Sequence, residues 1–298
     1  MEHAPVTAVI LAAGMGTRMR SDRPKPLHHL CGRPMVLYVV DALSALRVDR
    51  VVVVVGNRAD WVSKTVLEHA PEGMRFDFVE QAEQLGTGDA VKVALTCFGD
   101  DDPDDLVVLP GDTPLLRPPT IGALVRAHRD QGAAATLLTA RVSVPSGYGR
   151  VVRGRDDHVV RVVEDGDATD EELRITEINT SIYCFKRSLL APALQAVSPA
   201  NVQGEYYLTD VVDVLARAGH LVEASSVADP MEVAGINDRA QLSVAEAELR
   251  DRINERWMRR GVTMWDPERT YVDAAASLAS DVVPVSYTHL TLPTKRIV

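Results

Sequence analysis

The loop after the first apolar run combines two glycines with two cationic side chains. It reads Leu11-Ala-Ala-Gly-Met-Gly-Thr-Arg-Met-Arg-Ser-Asp-Arg-Pro-Lys25. Gly14 and Gly16 let successive backbone N–H groups approach an anion, while Arg18 and Lys25 add positive charge. Lysine is rare in this chain and occurs at Lys25, Lys64, Lys92, Lys186 and Lys295. The loop therefore predicts a phosphate-binding site.

The spacing in this loop excludes two common nucleotide-binding motifs. The GxGxxG fingerprint would need a glycine where Met19 stands, and the GxxxxGK[ST] pattern is not matched. We therefore expect neither a Rossmann dehydrogenase nor a P-loop NTPase. The two glycines alone would fit a simple chain turn equally well, and it is Arg18 and Lys25 that favour phosphate binding.

Asp112 is a candidate metal ligand. It follows the apolar run Leu106-Val-Val-Leu109, and ligands of open α/β sheets bind outside the carboxyl ends of the strands. Mg²⁺ usually takes one or two carboxylates from the protein and leaves its other positions to water and substrate phosphates. The alternative is a turn aspartate in Gly-Asp-Thr-Pro.

Up to about residue 140, short apolar runs alternate with longer mixed segments. Runs such as Val51–Val55 have no polar alternation, which is typical of strands buried on both faces. This rhythm predicts an α/β fold with a doubly wound, mostly parallel, Rossmann-like sheet. A hairpin at Tyr148–Arg153 and Val159–Glu164 then interrupts the pattern, and we expect this β insertion to bind a second substrate.

Three features are expected after the sheet. Apolar residues recur at three- and four-residue spacing from Arg239 to Arg259, which predicts an amphipathic helix that forms a connecting arm. Val262–Trp265 is a short strand candidate. Residues 286–298 continue no earlier pattern, so we expect a non-native tail there.

Composition limits the function classes. The 298 residues are 46% hydrophobic and 25% charged, as in a folded globular protein. The net charge of −10 argues against a nucleic-acid partner, because such proteins are normally basic. The apolar run at residues 9–13 is too short for a signal peptide or a membrane span. Three cysteines without CxxC spacing favour a reducing compartment, and we expect a cytoplasmic protein with no membrane partner.

The loop, followed closely by Pro-Lys, resembles the sugar-1-phosphate nucleotidyltransferases, and within them the bacterial N-acetylglucosamine-1-phosphate uridylyltransferases. Further segments recur in family order: Gln81-Ala-Glu-Gln-Leu-Gly-Thr-Gly88, Pro110-Gly-Asp-Thr-Pro-Leu115, Gly147-Tyr-Gly-Arg150, Val163-Glu-Asp-Gly-Asp-Ala-Thr-Asp170, Glu177-Ile-Asn-Thr180, Gly204-Glu-Tyr-Tyr-Leu-Thr-Asp210 and Gly235-Ile-Asn-Asp-Arg239. The resemblance covers roughly residues 6–283 and implies a nucleotidyltransferase sheet. It also implies Mg²⁺ as cofactor, with UTP and N-acetylglucosamine 1-phosphate as substrates.

The resemblance also implies roles for individual residues. The catalytic residues would be Arg18, Lys25 and Asp112. The nucleotide would contact Leu11, Ala12, Ala13, Gly14, Gly16, Thr17, Lys25, Gln81, Gly86, Thr87, Pro110, Gly111 and Asp112. The sugar phosphate would contact Gly149, Glu164, Asn179, Tyr207, Thr209 and Asn237. The Mg²⁺ ligands would be Asp112 and Asn237.

Within the nucleotide set, Gln81, Gly86 and Thr87 would read uracil. Asp89 departs from the family, because many relatives have histidine there.

Several of these residues could instead have purely structural roles. Asn237 could be a helix N-cap, the GTG turn could simply begin a helix, and Glu164 could be a solvated side chain. His28, His29 and Cys31 look like a metal cluster on paper, but we interpret them as structural.

Two other functions also remain open. One is a glucose-1-phosphate thymidylyl- or uridylyltransferase, although those relatives usually have a longer spacer before Pro24-Lys25. The other is a non-catalytic module that binds a nucleotide sugar.

The predicted domains are a nucleotidyltransferase domain at 1–237, a linker helix at 238–260, the start of a second domain at 261–285 and the tail at 286–298. Full-length family members continue into a left-handed β-helix, which transfers acetyl groups and forms homotrimers. This chain stops where that domain would begin, so acetyltransferase activity is not predicted for it.

Overall fold

The fold is built on strands that are apolar along their whole length. Residues 51–55 and 106–109 are all at most 2% exposed, so the prediction of strands buried on both faces is confirmed. The computed structural model describes residues 4–56, 58–284 and 289–290.

Strands and helices alternate through most of the chain. The strands are β1 (Val6–Ala12), β2 (His29–Leu30), β3 (Arg33–Pro34), β4 (Val48–Val55), β5 (Arg75–Glu80), β6 (Asp105–Pro110), β7 (Ala135–Arg141), β8 (Arg150–Arg153), β9 (Val159–Val163), β10 (Glu177–Lys186), β11 (Val222–Ser226), β12 (Tyr271–Val272) and β13 (His289–Leu290). The helices are α1 (Met35–Ala42), α2 (Ala59–Glu68), α3 (Thr87–Leu95), α4 (Pro118–Gln131), α5 (Arg187–Ala196), α6 (Asp210–Arg217) and α7 (Arg239–Met258).

The main sheet has nine strands, and its central path runs β11-β7-β10-β6-β1-β4-β5. Strand β1 is parallel to both β4 and β6, and β4 is parallel to β5. Strand β10 runs antiparallel to β6 and β7, and the hairpin β8–β9 joins the sheet through β10. The carboxyl ends of β1, β4 and β6 therefore open at one edge, where ligands of such sheets bind.

Helices cover both faces of this sheet. Helices α1, α2 and α4 pack on one face, and α3, α5 and α6 pack on the other. The predicted α/β, doubly wound, mostly parallel sheet with a β insertion is confirmed.

Helix α7 lies beside the sheet and forms its own contact with the rest of the chain. Its buried face includes Leu249, Ile253 and Trp257, which belong to one apolar cluster with Leu30 and Leu115. The predicted amphipathic helix is confirmed. In the part of the chain that the structure describes, no helix is both long and apolar enough to cross a bilayer.

The segment after α7 differs from the expectation. No strand forms at residues 262–265. The Thr263 N–H donates to the Val282 carbonyl, but this bond is not part of a strand pairing, and the Trp265 side chain is 78% exposed. A short strand lies further on, where β12 pairs with β13. Thus 289–290 of the predicted tail form a strand, whereas 286–288 and 291–298 lie outside the described residues. The domain boundaries and the β-helix start stay predictions.

Candidate active site

A cavity of about 460 Å³ opens at the carboxyl ends of β1 and β6. Most of the residues predicted from the sequence line it: Leu11, Ala12, Ala13, Gly14, Arg18, Lys25, Gln81, Gly86, Thr87, Pro110, Gly111, Asp112, Gly149, Glu164, Asn179 and Asn237. Gly16, Thr17, Tyr207 and Thr209 are not among the lining residues.

The loop after β1 presents backbone to this cavity. A Cβ built on Gly14 would meet no atom within 4 Å, so that backbone is open to a ligand. Gly16 has a different role. Its φ is +61°, and an added Cβ would lie 2.7 Å from Lys25 Cβ, so only glycine lets the loop fold against Lys25. Gly16 and Thr17 thus shape the loop behind the cavity wall.

Four polar side chains meet at the junction of the sheet with α7. Lys25 Nζ donates to the Asp112 carboxylate and, over 2.7 Å, to Asn237 Oδ1. Arg18 Nη2 donates to the same Asn237 oxygen at 3.0 Å. The Ile236 N–H donates to the Asp112 carbonyl at 3.0 Å, which holds the segment before α7 against the end of β6. The fold therefore joins the predicted phosphate-binding and metal-binding residues into one cluster.

The oxygens of Asp112 and Asn237 both accept from the Lys25 ammonium, and Asn237 accepts from Arg18 as well. A carboxylate and an amide oxygen suit a hard cation such as Mg²⁺, which keeps water and substrate phosphates as its other ligands. Among the described residues, no group of three or more His, Cys, Asp or Glu side chains could hold a metal. The donor set thus fits a cation shared with substrate.

His28 and Cys31 behave as structural residues. Both are buried, burial lowers the pKa of His28, and the Cys31 N–H donates to Glu246 at 2.7 Å, which ties the loop to α7.

The end of β5 and the start of α3 form the wall assigned to the base. Gln81 is 6% exposed, and its Nε2 donates to the Gly86 carbonyl at 3.1 Å and to Asp89 Oδ2 at 2.8 Å. Thr87 Oγ1 accepts from the Leu208 N–H at 3.1 Å. Asp89, the departure from the family, thus holds the side chain predicted to read the base.

The fold requires glycine at position 86, whether or not a ligand is bound. Its φ is +110°, and an added Cβ would lie 2.6 Å from the Tyr206 carbonyl oxygen. Glycine is needed at this position because the chain at Tyr206 comes so close to it.

The opposite wall comes from the β insertion and β10. Glu164 accepts from Thr209 Oγ1 at 2.9 Å, and burial raises the pKa of the Glu164 carboxyl. Asn179 Nδ2 donates to the Tyr183 hydroxyl at 2.8 Å. Thr209 and Tyr207 are both buried behind this wall, and Thr209 reaches the cavity only through Glu164.

A bulge in β10 was not predicted. The register of β10 shifts between Asn179 and Tyr183, and Ser181 has a φ of +61°. Bulges re-aim side chains beside active sites, and here Thr180 and Ser181 become lining residues. No glycine marks this position, so the sequence carried no signal for it. Gln84 and Tyr148 also line the cavity and lie inside motifs already noted.

The MobA-like NTP transferase domain matches residues 8–211. The chain belongs to the MobA-like NTP transferase family. The matched region begins in β1 and includes the loop after it, the base wall and Asp112, whereas Asn237 lies beyond it. The predicted nucleotidyltransferase class is confirmed.

Curated relatives are more specific. The chain is 49% identical to the bifunctional protein GlmU of Shouchella clausii, over 93% of this chain and 59% of that protein. It is 47% identical to the bifunctional protein GlmU of Pelotomaculum thermopropionicum, over 95% of this chain and 60% of that one. The chain therefore spans about three-fifths of the length of these relatives.

Solved structures of two other proteins share the fold of this chain. UDP-glucose pyrophosphorylase complexed with UDP-glucose is 15% identical with a TM-score of 0.67, over 83% of this chain and 98% of that one. HddC from Yersinia pseudotuberculosis complexed with GMP-PN is 21% identical with a TM-score of 0.60, over 82% and 99%.

Proposed function

We propose that the protein transfers the uridylyl group of UTP to N-acetylglucosamine 1-phosphate, giving UDP-N-acetylglucosamine and diphosphate. The observation that carries this proposal is the convergence of Arg18, Lys25, Asp112 and Asn237 at one end of a cavity. The family membership supports nucleotidyl transfer, and the ordered motifs favour the uridylyltransferase branch.

The reaction needs no covalent intermediate with the protein. An oxygen of the sugar phosphate attacks the α-phosphorus of UTP in line, and the bond from that phosphorus to the bridging oxygen breaks. The electron pair leaves with diphosphate. The protein must align two polyanions and stabilise the charge that develops between them.

Arg18, Lys25 and the open backbone at Gly14 would hold the phosphates. Preorganised donors aimed at developing charge are commonly the largest contribution to such catalysis. Asp112 and Asn237 would hold Mg²⁺, which when bound neutralises phosphate charge.

The two walls would bind the remaining parts of the substrates. Gln81, Gly86 and Thr87 form the wall assigned to uracil. Glu164 and Asn179 offer a carboxylate and an amide to the sugar hydroxyls and the N-acetyl group. A site built from such directional hydrogen bonds rejects analogues that leave its groups unpaired.

The proposed product would feed peptidoglycan and other amino-sugar polymers. The cytoplasmic location stays a prediction.

The decisive test is diphosphate release from UTP and N-acetylglucosamine 1-phosphate in the presence of Mg²⁺. The parent protein should be active and Asp112→Ala should lose at least about a hundredfold in kcat. Asp60→Ala is the control, because Asp60 is exposed on α2 and outside the cavity.

The alternatives give distinct results in this assay. A preference for dTTP or glucose 1-phosphate would identify another sugar nucleotidyltransferase. Binding of UTP with no diphosphate formed from any sugar phosphate would identify a binding module.

A further inference from the structure

The Gln81 side chain is held by the protein through its amide nitrogen. Its two N–H donors are used by the Gly86 carbonyl and the Asp89 carboxylate. Among the described residues, no hydrogen bond reaches Gln81 Oε1, and Gln81 lines the cavity. The amide therefore presents an acceptor to the cavity.

Asp89 contributes to keeping the amide in this orientation. A carboxylate and a backbone carbonyl can only accept hydrogen bonds. Rotation of the amide by 180° would place Oε1 against both of them and would break both bonds. Without Asp89, only the bond of 3.1 Å to Gly86 would oppose this rotation.

We propose that Asp89 is a positioning residue that fixes Gln81 as a hydrogen-bond acceptor and thereby sets the choice of nucleotide base. The inference rests on the proposed function, because it places a base against Gln81. Uracil offers one donor on its Watson–Crick edge, the N3–H, and this group pairs with Gln81 Oε1. Cytosine has an unprotonated N3 that accepts, so its lone pair faces the Gln81 oxygen and binding is disfavoured.

A purely structural role for Asp89 predicts a different outcome. Asp89 lies in the first turn of α3, where a carboxylate stabilises the helix through its dipole. Asp60 occupies the equivalent place in α2. If Asp89 serves only α3, its removal lowers stability as the removal of Asp60 does and leaves base selection unchanged.

The test is equilibrium binding of UTP and CTP by calorimetry, together with kcat and KM for each nucleotide. The parent protein should prefer UTP. In Asp89→Ala the dissociation constant for CTP divided by that for UTP should fall by at least about tenfold. The amide is then free to present its N–H groups to cytosine. The change should appear in the nucleotide KM more than in kcat.

Asp89→Asn removes the charge and keeps the size of the side chain. Its amide can accept from Gln81 Nε2 or, turned over, donate to Gln81 Oε1, so it does not fix the orientation of Gln81. The UTP preference should therefore fall as it does in Asp89→Ala, and Asp60→Ala should leave the preference unchanged.

A UTP-to-CTP ratio in Asp89→Ala within threefold of the parent overturns the inference, as does a parent that binds both nucleotides equally. If the parent binds UTP but forms no diphosphate, the proposed reaction fails while the ratio still decides the role of Asp89. A parent that binds neither nucleotide overturns both.

Discussion

Lys25 Nζ donates a hydrogen bond to Asn237 Oδ1 over 2.7 Å, although 212 residues separate them in the chain. Lys25 comes from the loop region after β1, and Asn237 stands just before α7. Asp112, at the end of β6, completes the contact. The site is thus assembled from the sheet and from the segment that leads into α7.

Replacement of Lys25 by alanine should reduce kcat about 10²- to 10³-fold, equivalent to about 3 kcal/mol of transition-state stabilisation. The ammonium donates to Asp112 and Asn237 at the end of the cavity where the proposed phosphates would lie, and alanine would leave the negative charge of those phosphates unbalanced. Diphosphate release under saturating substrates measures the effect. Lys64→Ala is the control, because Lys64 is 76% exposed on α2 and pairs there with Glu68. Turnover of Lys25→Ala within tenfold of the parent would contradict the assignment.

Gly86→Ala should lower the free energy of unfolding by about 3 kcal/mol, since the residue combines a strained φ with a close backbone contact. Gly73→Ala separates the two causes, because Gly73 has a φ of +85° but nothing within 4 Å of an added Cβ. Its loss should be about 1 kcal/mol. Urea unfolding of both variants measures the difference. Equal decreases in the free energy of unfolding would show that the contact of the added methyl group with Tyr206 does not destabilise the protein.

Glu164→Gln should stabilise the folded protein at neutral pH while it weakens sugar-phosphate binding about tenfold or more. Burial raises the pKa of Glu164 above its ordinary 4.5, so ionisation opposes folding. The stability advantage of the variant should be absent below pH 4.5, grow as the pH rises through the folded pKa, and then stay constant. Unfolding curves from pH 4 to 8 and the KM for the sugar phosphate check both parts. Exposed Glu171→Gln should change neither, and a pH-independent stability difference would refute the explanation.

His128 should make the protein sensitive to acid. Its side chain is fully buried in α4, with Nδ1 3.0 Å from Thr136 Oγ1, and burial lowers its pKa from 6.5 to about 4. Between pH 6.5 and 4, His128 binds a proton in the unfolded chain but stays neutral in the folded chain. The free energy of unfolding therefore decreases as the pH falls from 6.5 to 4. His128→Gln can still form a hydrogen bond with Thr136. Its free energy of unfolding should fall by about 3 kcal/mol less than that of the parent over this pH range.

Urea unfolding at several pH values tests this prediction. His220→Gln, at an exposed position, should retain the acid loss of the parent. A parallel decline in His128→Gln would exclude His128 as its cause.

Local patterns predicted the central fold and, in the cavity, Gly14, Arg18, Lys25 and Asp112, because strand burial, glycine spacing and charged side chains near strand ends are local properties. The resemblance to the nucleotidyltransferases, and not the local patterns, implied the rest of the predicted lining. Thr209 could not be placed from its motif, since its burial behind Glu164 depends on the packing of α6 against β9. The bulge at Ser181 also left no sequence signal, because a non-glycine residue adopts the left-handed conformation there. Residues 262–265 have the composition of a strand, but among the residues that the structure describes no neighbouring strand pairs with them.

Asn237 directly precedes Asp238, whose side chain accepts from the Gln241 N–H at 2.8 Å as the N-cap of α7. The 20 residues of α7 form a rod about 30 Å long. Asn237 is therefore fixed to the end of that rod, whereas Asp112 is fixed to the sheet. A tilt of α7 against the sheet would therefore change the spacing between the Asp112 and Asn237 oxygens, which both accept from Lys25.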